Sequence, residues 1–344
     1  MIDVLVVGGG PVGLATAIRC ALAGLSVTVA EPRGGPVDKA CGEGVMPAAV
    51  RRLAALGVRP DGRPLRGIRY LDERHHAEAR FTRGDGLGVR RTVLHAALAE
   101  RAAALGIPVL PTRVTAFAQQ PSHVTAAGTE ARYLVAADGL HSTIRRILER
   151  SAPGARRPAA RRYGLRRHYR ITPWTDLVEV HLAAQAEAYV TPVSADVVGI
   201  ALLFAGPGRD DFEARLSAFP ALSGRLAGAV PGDVRGAGPM RQDVARRVYG
   251  RVLLAGDAAG YLDALTGEGL GVGLAQAEAL ARCLAAGRPG DYERAWRKVS
   301  ARAWRLTAGL LWSRNQPLLA SRLVPVAQYA PWLFSAVVNQ LAQA

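Results

Sequence analysis

A glycine-rich turn near the N-terminus constrains the fold more than any other feature of this chain. Residues 3–8 predict a buried strand, residues 11–24 a helix and residues 26–30 a second strand. Between the first strand and the helix lies the G-x-G-x-x-G sequence Gly8-Gly9-Gly10-Pro11-Val12-Gly13. In such a turn the glycines permit a sharp bend, let a pyrophosphate approach the backbone, and let helix and strand pack closely. Because the helix N-terminus also offers free amides to a phosphate, the predicted dinucleotide contacts are Gly8, Gly10, Pro11 and Gly13.

An acidic residue follows this turn at the spacing that a ribose requires. Glu31 ends the second predicted strand, 18 residues after Gly13. A carboxylate at that place accepts hydrogen bonds from the 2′- and 3′-hydroxyls of an adenosine ribose. Arg33 would suit a 2′-phosphate, but Glu31 would repel one. The pair therefore favours the adenosine of FAD, with Glu31 and Arg33 both close to the cofactor.

Two later aspartate–glycine motifs extend the pattern. Asp138-Gly139 follows an apolar strand over residues 132–137, and Gly256-Asp257 follows another over residues 247–255. A glycine loop, a central Asp-Gly and a late Gly-Asp occur in this order in the para-hydroxybenzoate hydroxylase-like superfamily of FAD-dependent monooxygenases and their geranylgeranyl reductase-like relatives. The chain resembles that superfamily up to about residue 290. The resemblance implies non-covalently bound FAD.

The resemblance also implies roles for individual residues. Asp257 would hold the ribityl chain of FAD, with Gly256 beside it. Asp138-Gly139 would lie near the pyrophosphate and serve both FAD and NAD(P)H. Arg91, which opens a predicted helix, would contact FAD, and the backbone of Val114 would meet the adenine.

A second glycine run opens a long helix predicted over residues 267–286. Its sequence is Thr266-Gly267-Glu268-Gly269-Leu270-Gly271. The resemblance places this helix N-terminus at the flavin pyrimidine ring, where the helix dipole would stabilise negative charge on N1–C2=O of the reduced flavin. Gly267, Gly269 and Leu270 are therefore predicted cofactor contacts. Glu268 suits such a charge poorly, and we expect its side chain to point outward.

The order of predicted elements indicates an α/β fold. A Rossmann-like FAD-binding domain would comprise residues 1–65, 86–160 and 240–290. An interleaved β-sheet domain for the substrate would comprise residues 66–85 and 161–239, and a C-terminal helical segment residues 291–344.

Three residues are candidates for chemistry on the substrate side. Cys41 lies in Lys39-Ala40-Cys41-Gly42-Glu43-Gly44, a loop that borders the isoalloxazine in the resembling superfamily. His168 and Tyr189 lie on strands predicted to roof the substrate, where either could take the proton of a phenol. Ordinary packing or solvent exposure would explain each of the three equally well.

The resemblance implies an NAD(P)H-dependent monooxygenase that uses O2 and a flavin C4a-hydroperoxide, with either NADH or NADPH as reductant. By analogy with oxidoreductases of type III polyketide pathways, the substrate would be a small, hydrophobic phenolic or polyketide-type aromatic. The alternative is a flavin-dependent reductase of isoprenoid C=C bonds, which Gly267-Glu268-Gly269 and Ala264 favour. A flavin halogenase and a non-catalytic flavin-binding protein are weaker alternatives.

Composition narrows the partners. The net charge of +16 comes almost wholly from arginine, and no nucleic-acid module with interleaved aromatics accompanies it, so we expect no nucleic-acid partner. The three cysteines are far apart and predict neither a disulfide framework nor a zinc site. No leader sequence or long apolar run is present, so a cytoplasmic location is expected. The tryptophans and arginines of residues 304–337 would suit either docking onto the protein body or contact with a membrane surface.

Overall fold

A computed structural model describes residues 1–150, 162–184, 186–206 and 211–343, apart from the side chains of residues 317 and 318. The linker part of the predicted FAD domain (151–160) lies outside the described residues, as do residues 161, 185, 207–210 and 344.

The first layer is an eight-stranded sheet around the N-terminal strand, Ile2–Val7, whose last four residues are buried. Its central strands are parallel, which requires crossover connections that return the chain to the same end of the sheet. Across the sheet the strands are Val248–Tyr249, Val252–Leu254, Thr129–Ala136, Ile2–Val7, Val27–Ala30 and Val109–Leu110, with Val124–Ala126 and then Ala118–Gln119 added antiparallel beside Thr129–Ala136.

This strand order places the three sequence motifs together. The glycine loop follows Ile2–Val7, the central Asp-Gly follows Thr129–Ala136, and the late Gly-Asp follows Val252–Leu254. These strands are parallel neighbours, so all three motifs emerge at the same edge of the sheet. Open α/β sheets bind their ligands at that carboxyl edge.

The second layer is another eight-stranded sheet, antiparallel except where Val178–Leu182 pairs in parallel with Gly67–Leu71. The hairpin Gly67–Leu71/His76–Arg80 comes from far earlier in the chain than the rest of this sheet, so the two layers are interleaved. Its strands are, in order, Val230–Pro231, Arg162–Arg170, Val197–Ala205, Ala186–Pro192, Val178–Leu182, Gly67–Leu71 and His76–Arg80, with Arg235–Ala237 also paired to Arg162–Arg170. A smaller sheet of Gly44–Val45, Gly86–Gly88 and Arg63–Leu65 completes the strands of the described residues.

Helices cover the first sheet and the C-terminal end of the chain. Pro11–Leu22 packs closely on Gly269–Ala285, since a Cβ at Gly273 would lie 2.4 Å from a methyl carbon of Val12. The other α-helices are Pro47–Ala54, Arg91–Ala104, Thr143–Arg150, Phe212–Leu216, Pro220–Leu226, Tyr292–Arg314, Pro317–Ala320, Leu323–Tyr329 and Pro331–Leu341.

The C-terminal helices dock onto the protein body. Trp296, on Tyr292–Arg314, joins the apolar core of the first sheet and meets Trp304 edge-on at 5.6 Å. Phe334 belongs to the apolar cluster of the second sheet and contacts Tyr70 at 5.1 Å. Docking therefore accounts for Trp304 and Phe334, whereas Trp312 remains 61% exposed.

The structure confirms the predicted α/β class with an interleaved second sheet. The long helix predicted over 267–286 is Gly269–Ala285. The boundaries of the three predicted domains stay predictions. No helix of the described residues is long and apolar enough to cross a membrane.

Candidate functional site

The glycine loop has the geometry that its sequence predicts. Gly8 has φ +104°, and a Cβ there would lie 2.5 Å from the carbonyl oxygen of Ala137. A Cβ at Gly13 would lie 1.8 Å from the carbonyl oxygen of Gly8, so helix and strand can approach only with glycine at that position. Gly10 is the N-cap of the helix and Pro11 its first residue, which leaves the helix N-terminus open.

Glu31 is buried at the end of its strand and is held by four donors, one of which is the amide of Arg33 at 3.1 Å from Oε1. Its Oε2 accepts a hydrogen bond from the amide of Gly9 at 2.8 Å, and Arg33 binds both oxygens through Nε at 2.7 Å and a terminal nitrogen at 2.8 Å. Burial alone would raise the pKa of Glu31, but these hydrogen bonds outweigh it and lower the pKa. Arg33 therefore neutralises Glu31, and the carboxylate is fixed in its ionised form beside the glycine loop.

Asp138 has a structural task that the sequence prediction missed. Its Oδ2 accepts hydrogen bonds from the amides of Thr143 at 2.7 Å and Ile144 at 3.3 Å, so it caps the helix Thr143–Arg150. Its Oδ1 is buried and has no hydrogen-bond partner among the described residues. Gly139 has φ +82°, and a Cβ there would lie 3.3 Å from Nζ of Lys39.

The late Gly-Asp motif is fixed by the helix behind it. Gly256 has φ +61°, and its amide donates to Oε1 of the buried Gln276 at 2.9 Å. Burial raises the pKa of Asp257, while the positive charges of Arg91, Lys39 and Arg145 oppose that rise. Arg145 also donates to the backbone carbonyls of Asp257 and Leu140, at 3.2 and 2.8 Å, and so ties the two aspartate motifs together.

Lys39 marks the point on which the motifs converge. Burial and the nearby positive charges of Arg33 and Arg91 lower the pKa of Lys39. The negative charges of Asp257 and Glu31 offset only part of this effect. Residues that follow several parallel strands and the loop before Gly44 therefore meet around Lys39.

Arg91 and Val114 are two further residues that the resemblance assigns to the cofactor. Arg91 begins the helix Arg91–Ala104, and a Cβ at Gly10 would lie 3.8 Å from its guanidinium. Its Nε is buried and has no hydrogen-bond partner among the described residues. Val114 is buried in the loop that follows Val109–Leu110.

The second glycine run opens the long helix as predicted, but Glu268 differs from expectation. Gly267 has φ +67°, Glu268 is the N-cap, and Gly269 and the half-buried Leu270 form the first turn. The side chain of Glu268 points inward and only 5% of the residue is exposed. The expected outward orientation is therefore wrong, because the helix Tyr292–Arg314 covers this end of Gly269–Ala285.

His168 lies in a buried polar chain, with both ring nitrogens engaged. Arg166 lies 3.0 Å from Nδ1, and Oε2 of Glu43 lies 2.6 Å from Nε2. Arginine can only donate, so Nδ1 accepts and the proton sits on Nε2, which donates to Glu43. Arg166 in turn pairs with Asp38. Neither ring nitrogen of His168 is therefore free to act as the predicted base toward a substrate.

Tyr189 contacts the loop before Gly267, and Cys41 lies in the Lys39–Gly44 loop. The Tyr189 hydroxyl donates to the carbonyl of Leu265 at 2.8 Å, and burial holds the pKa of this phenol well above its usual value. A neutral phenol cannot act as a base at neutral pH, so Tyr189 is suited to position the loop before Gly267. Cys41 is a free, half-buried thiol whose sulfur accepts a 3.4 Å contact from the Glu43 amide, near Tyr261.

Comparison with known proteins agrees with this geometry. Residues 1–163 match the FAD binding domain family. Residues 1–163 therefore carry an FAD binding domain of the para-hydroxybenzoate hydroxylase-like kind. The geranylgeranyl reductase-like branch that the second glycine run suggested is not confirmed.

Two curated proteins and one solved structure illustrate how this flavoprotein relates to others. It is 30% identical over 307 residues to a dialkyldecalin synthase of Streptomyces rugosporus, covering 82% of this chain and 65% of that protein. It is 31% identical over 175 residues to a rifampicin monooxygenase of Streptomyces venezuelae, covering 45% of this chain and 35% of that protein. The chain thus spans less than two thirds of either curated relative.

The solved structure is a flavoprotein/dehydrogenase from Cytophaga hutchinsonii. It superposes with a TM-score of 0.83 at 17% identity, covering 99% of this chain and 93% of that one. At this identity the likeness shows a shared fold.

Several residues that shape the site escaped the sequence prediction. Their identity carries no motif, and each becomes functional only through a contact from a distant part of the chain. They are Lys39 among the charged groups near Asp257, Glu43 and Arg166 beside His168, Arg145 and Gln276 behind the aspartate motifs, and His95. Nε2 of His95 lies 2.9 Å from the carbonyl oxygen of Gly9.

Proposed function

We propose that this flavoprotein is an NAD(P)H-dependent monooxygenase that hydroxylates or oxidises a phenolic or polyketide-type aromatic with O2. The observation that carries the proposal is the convergence of Glu31, Arg91 and Asp257 around Lys39, in a chain whose residues 1–163 match an FAD binding domain. Similarity to a rifampicin monooxygenase supports the reaction class. When bound, FAD would supply the redox and oxygen chemistry.

The residues around Lys39 and the glycine loop fit FAD. The loop Gly8–Gly13 leaves no side chain between the helix N-terminus and a diphosphate. Glu31 would accept a ribose hydroxyl, although Arg33 must share or yield part of the carboxylate. Lys39, Arg91 and Asp257 would meet the polar middle of the cofactor, with Asp257 on the ribityl hydroxyls. The buried, unpaired Nε of Arg91 and Oδ1 of Asp138 are the polar atoms that a ligand would satisfy.

The second sheet supplies an apolar wall for the substrate. Val178 and Tyr189 of this sheet belong to an apolar cluster that also contains Met46, Leu65 and Met240 from neighbouring segments. Such a wall favours an aromatic ring and excludes water from the reacting atoms. Tyr189 would orient the loop that carries Leu265 against this wall. Cys41, half-buried near Tyr261, is the remaining candidate for direct contact with the substrate.

A second candidate function is a ring-forming synthase. The similarity to a dialkyldecalin synthase spans 82% of the chain, much more than the similarity to the monooxygenase. In that case the apolar wall would fold a flexible polyene, and the product would be an isomer of the substrate.

One experiment separates these functions from each other and from the C=C reductase alternative. The FAD-loaded protein is mixed anaerobically with NADH or NADPH and a panel of phenols and polyenes, air is admitted, and product masses are measured. Gain of one oxygen atom supports the monooxygenase, and an unchanged mass with new rings supports the synthase. Gain of two hydrogen atoms supports the reductase. If neither nicotinamide bleaches the bound flavin with any substrate, both redox functions are rejected.

A further inference from the structure

The carboxylate of Glu268 is buried without the partners that a charged group needs. Only 5% of the residue is exposed, and neither carboxylate oxygen has a hydrogen-bond partner among the described residues. The hydroxyl of the neighbouring Thr266 lies 2.9 Å from that of Thr307, on the covering helix. An ionised carboxylate is costly in such surroundings, whereas a protonated one is tolerated.

Glu268 faces a small cavity that reaches the proposed cofactor site. The cavity measures about 40 Å³, which is enough for a water molecule. Glu268, Gln276 and Thr307 line one part of it, and Gly256 and Asp257 line another. A proton on Glu268 is therefore in the neighbourhood of the residues proposed to hold the ribityl chain.

The charged and titratable groups around Glu268 come from several elements. Arg302, on the helix Tyr292–Arg314, favours the ionised form. Asp257 lines the same cavity, as do Tyr261 and Asp263, and Tyr70 approaches from the second sheet. The Thr266 hydroxyl and the positive charge of Arg302 both act to lower the pKa of Glu268. Burial has the larger, opposite effect and raises this pKa to about 7. Glu268 can therefore gain or lose its proton near neutral pH.

We propose that Glu268 is a proton-binding site coupled to cofactor binding, protonated when FAD is bound and ionised only as the solution becomes alkaline. The inference rests on the proposed FAD site. The diphosphate of FAD is anionic, so a negative charge on Glu268 opposes its binding. Linkage is reciprocal: if ionisation of Glu268 weakens FAD binding, bound FAD must hold the proton on Glu268 more tightly.

The test compares FAD affinity at several pH values in the wild type, in Glu268→Gln and in Glu278→Gln. Glutamine keeps the shape of glutamate but cannot ionise. Glu278 lies on the same helix with 40% of its side chain exposed, and it serves as the matched control. The dissociation constant is measured by flavin fluorescence during titration of the apoprotein, so no turnover is needed. Every other titratable group apart from Glu278 is present in all three proteins, so the difference between their pH profiles isolates Glu268.

We expect the dissociation constant of the wild type and of Glu278→Gln to rise at least about fivefold more than that of Glu268→Gln between about pH 6 and pH 8.5. Parallel profiles in all three proteins would overturn the proposal and leave the proposed function intact. Failure of the wild type to bind FAD at any pH would overturn the proposed function itself. An infrared band of a protonated carboxylic acid, present in the wild type at low pH and absent from Glu268→Gln, gives a second readout if the variant binds FAD poorly.

Discussion

Nε2 of His168 donates a 2.6 Å hydrogen bond to Glu43, a buried residue whose backbone has the left-handed φ of +58°. The other oxygen of Glu43 accepts a 2.9 Å hydrogen bond from the amide of Arg91, at the start of the helix Arg91–Ala104. One carboxylate therefore joins the second sheet, the Lys39–Gly44 loop and the helix Arg91–Ala104. A glutamate persists in this unfavourable conformation only when its contacts outweigh the strain.

Glu43→Ala removes both hydrogen bonds and leaves His168 and the Arg91 amide buried without an acceptor. We expect the free energy of unfolding to fall by about 2–4 kcal/mol. Urea unfolding followed by circular dichroism measures the change. Glu73→Ala, at an exposed position, should change it by less than about 0.5 kcal/mol. An equally small effect at Glu43 would show that the strain cancels the hydrogen bonds.

Tyr189→Phe separates positioning from proton transfer. Removing the hydroxyl leaves the Leu265 carbonyl without its donor, which should cost about 1–2 kcal/mol of stability. Because burial keeps this phenol protonated, the pH profile of kcat should retain its shape. Steady-state rates across pH check this. Loss of one limb of the profile together with a fall in kcat of about 100-fold or more would instead identify Tyr189 as an acid–base group.

Gly10 and Gly13 should respond differently to alanine. At Gly13 the new methyl group would meet the Gly8 carbonyl oxygen at 1.8 Å, so Gly13→Ala should unfold or severely destabilise the protein. At Gly10 the nearest atom of the described structure is 3.8 Å away, so Gly10→Ala should fold with nearly unchanged thermal stability. Its methyl group would occupy the approach to the diphosphate, and FAD affinity should fall at least about tenfold. Unchanged affinity in a folded Gly10→Ala would show that the phosphate binds elsewhere.

These contrasts show what the sequence could and could not predict. The glycine loop, Glu31 and the two aspartate motifs are local patterns with one backbone solution each, so their fold and their convergence were predictable. The capping role of Asp138 depends on a hydrogen bond to Thr143 that many sequences could make or omit.

The polar chain around His168 could not be predicted at all. Arg166 and His168 lie two residues apart on one strand, but their partners Asp38 and Glu43 come from a loop more than 100 residues away. The inward orientation of Glu268 likewise depends on the helix Tyr292–Arg314, which the resemblance does not cover.

The two lysines of the chain allow a controlled test of whether Lys39 contributes to FAD binding. Lys39 lies among Arg33, Arg91 and Asp257, whereas Lys298 is exposed on the helix Tyr292–Arg314. Lys39→Met should weaken FAD binding about tenfold and reduce its dependence on salt, because a cation near the diphosphate is lost. Lys298→Met should bind FAD like the wild type. Titration of the apoprotein at two ionic strengths measures both effects, and equal affinities of the two variants would remove Lys39 from the site.

Glu268 should also leave a signature in the pH dependence of stability without added FAD. In the unfolded chain this glutamate ionises near its ordinary pKa of 4.5, but burial raises its pKa to about 7 in the folded protein. The folded state therefore holds a proton that the unfolded state has lost, and the contribution to stability falls as pH rises from about 4.5 to about 7. Above that range the loss is complete and amounts to roughly 3 kcal/mol.

Glu268→Gln has no such proton, so its stability relative to the wild type should increase by about that amount between about pH 4 and pH 8. Urea unfolding at a series of pH values measures the difference, and using the difference cancels every other titrating group. Glu278→Gln, on the exposed side of the same helix, should follow the wild type throughout. A constant difference between Glu268→Gln and the wild type would mean that Glu268 has the same pKa in the folded and the unfolded protein, with the effect of its burial offset by Arg302 or by water in the cavity.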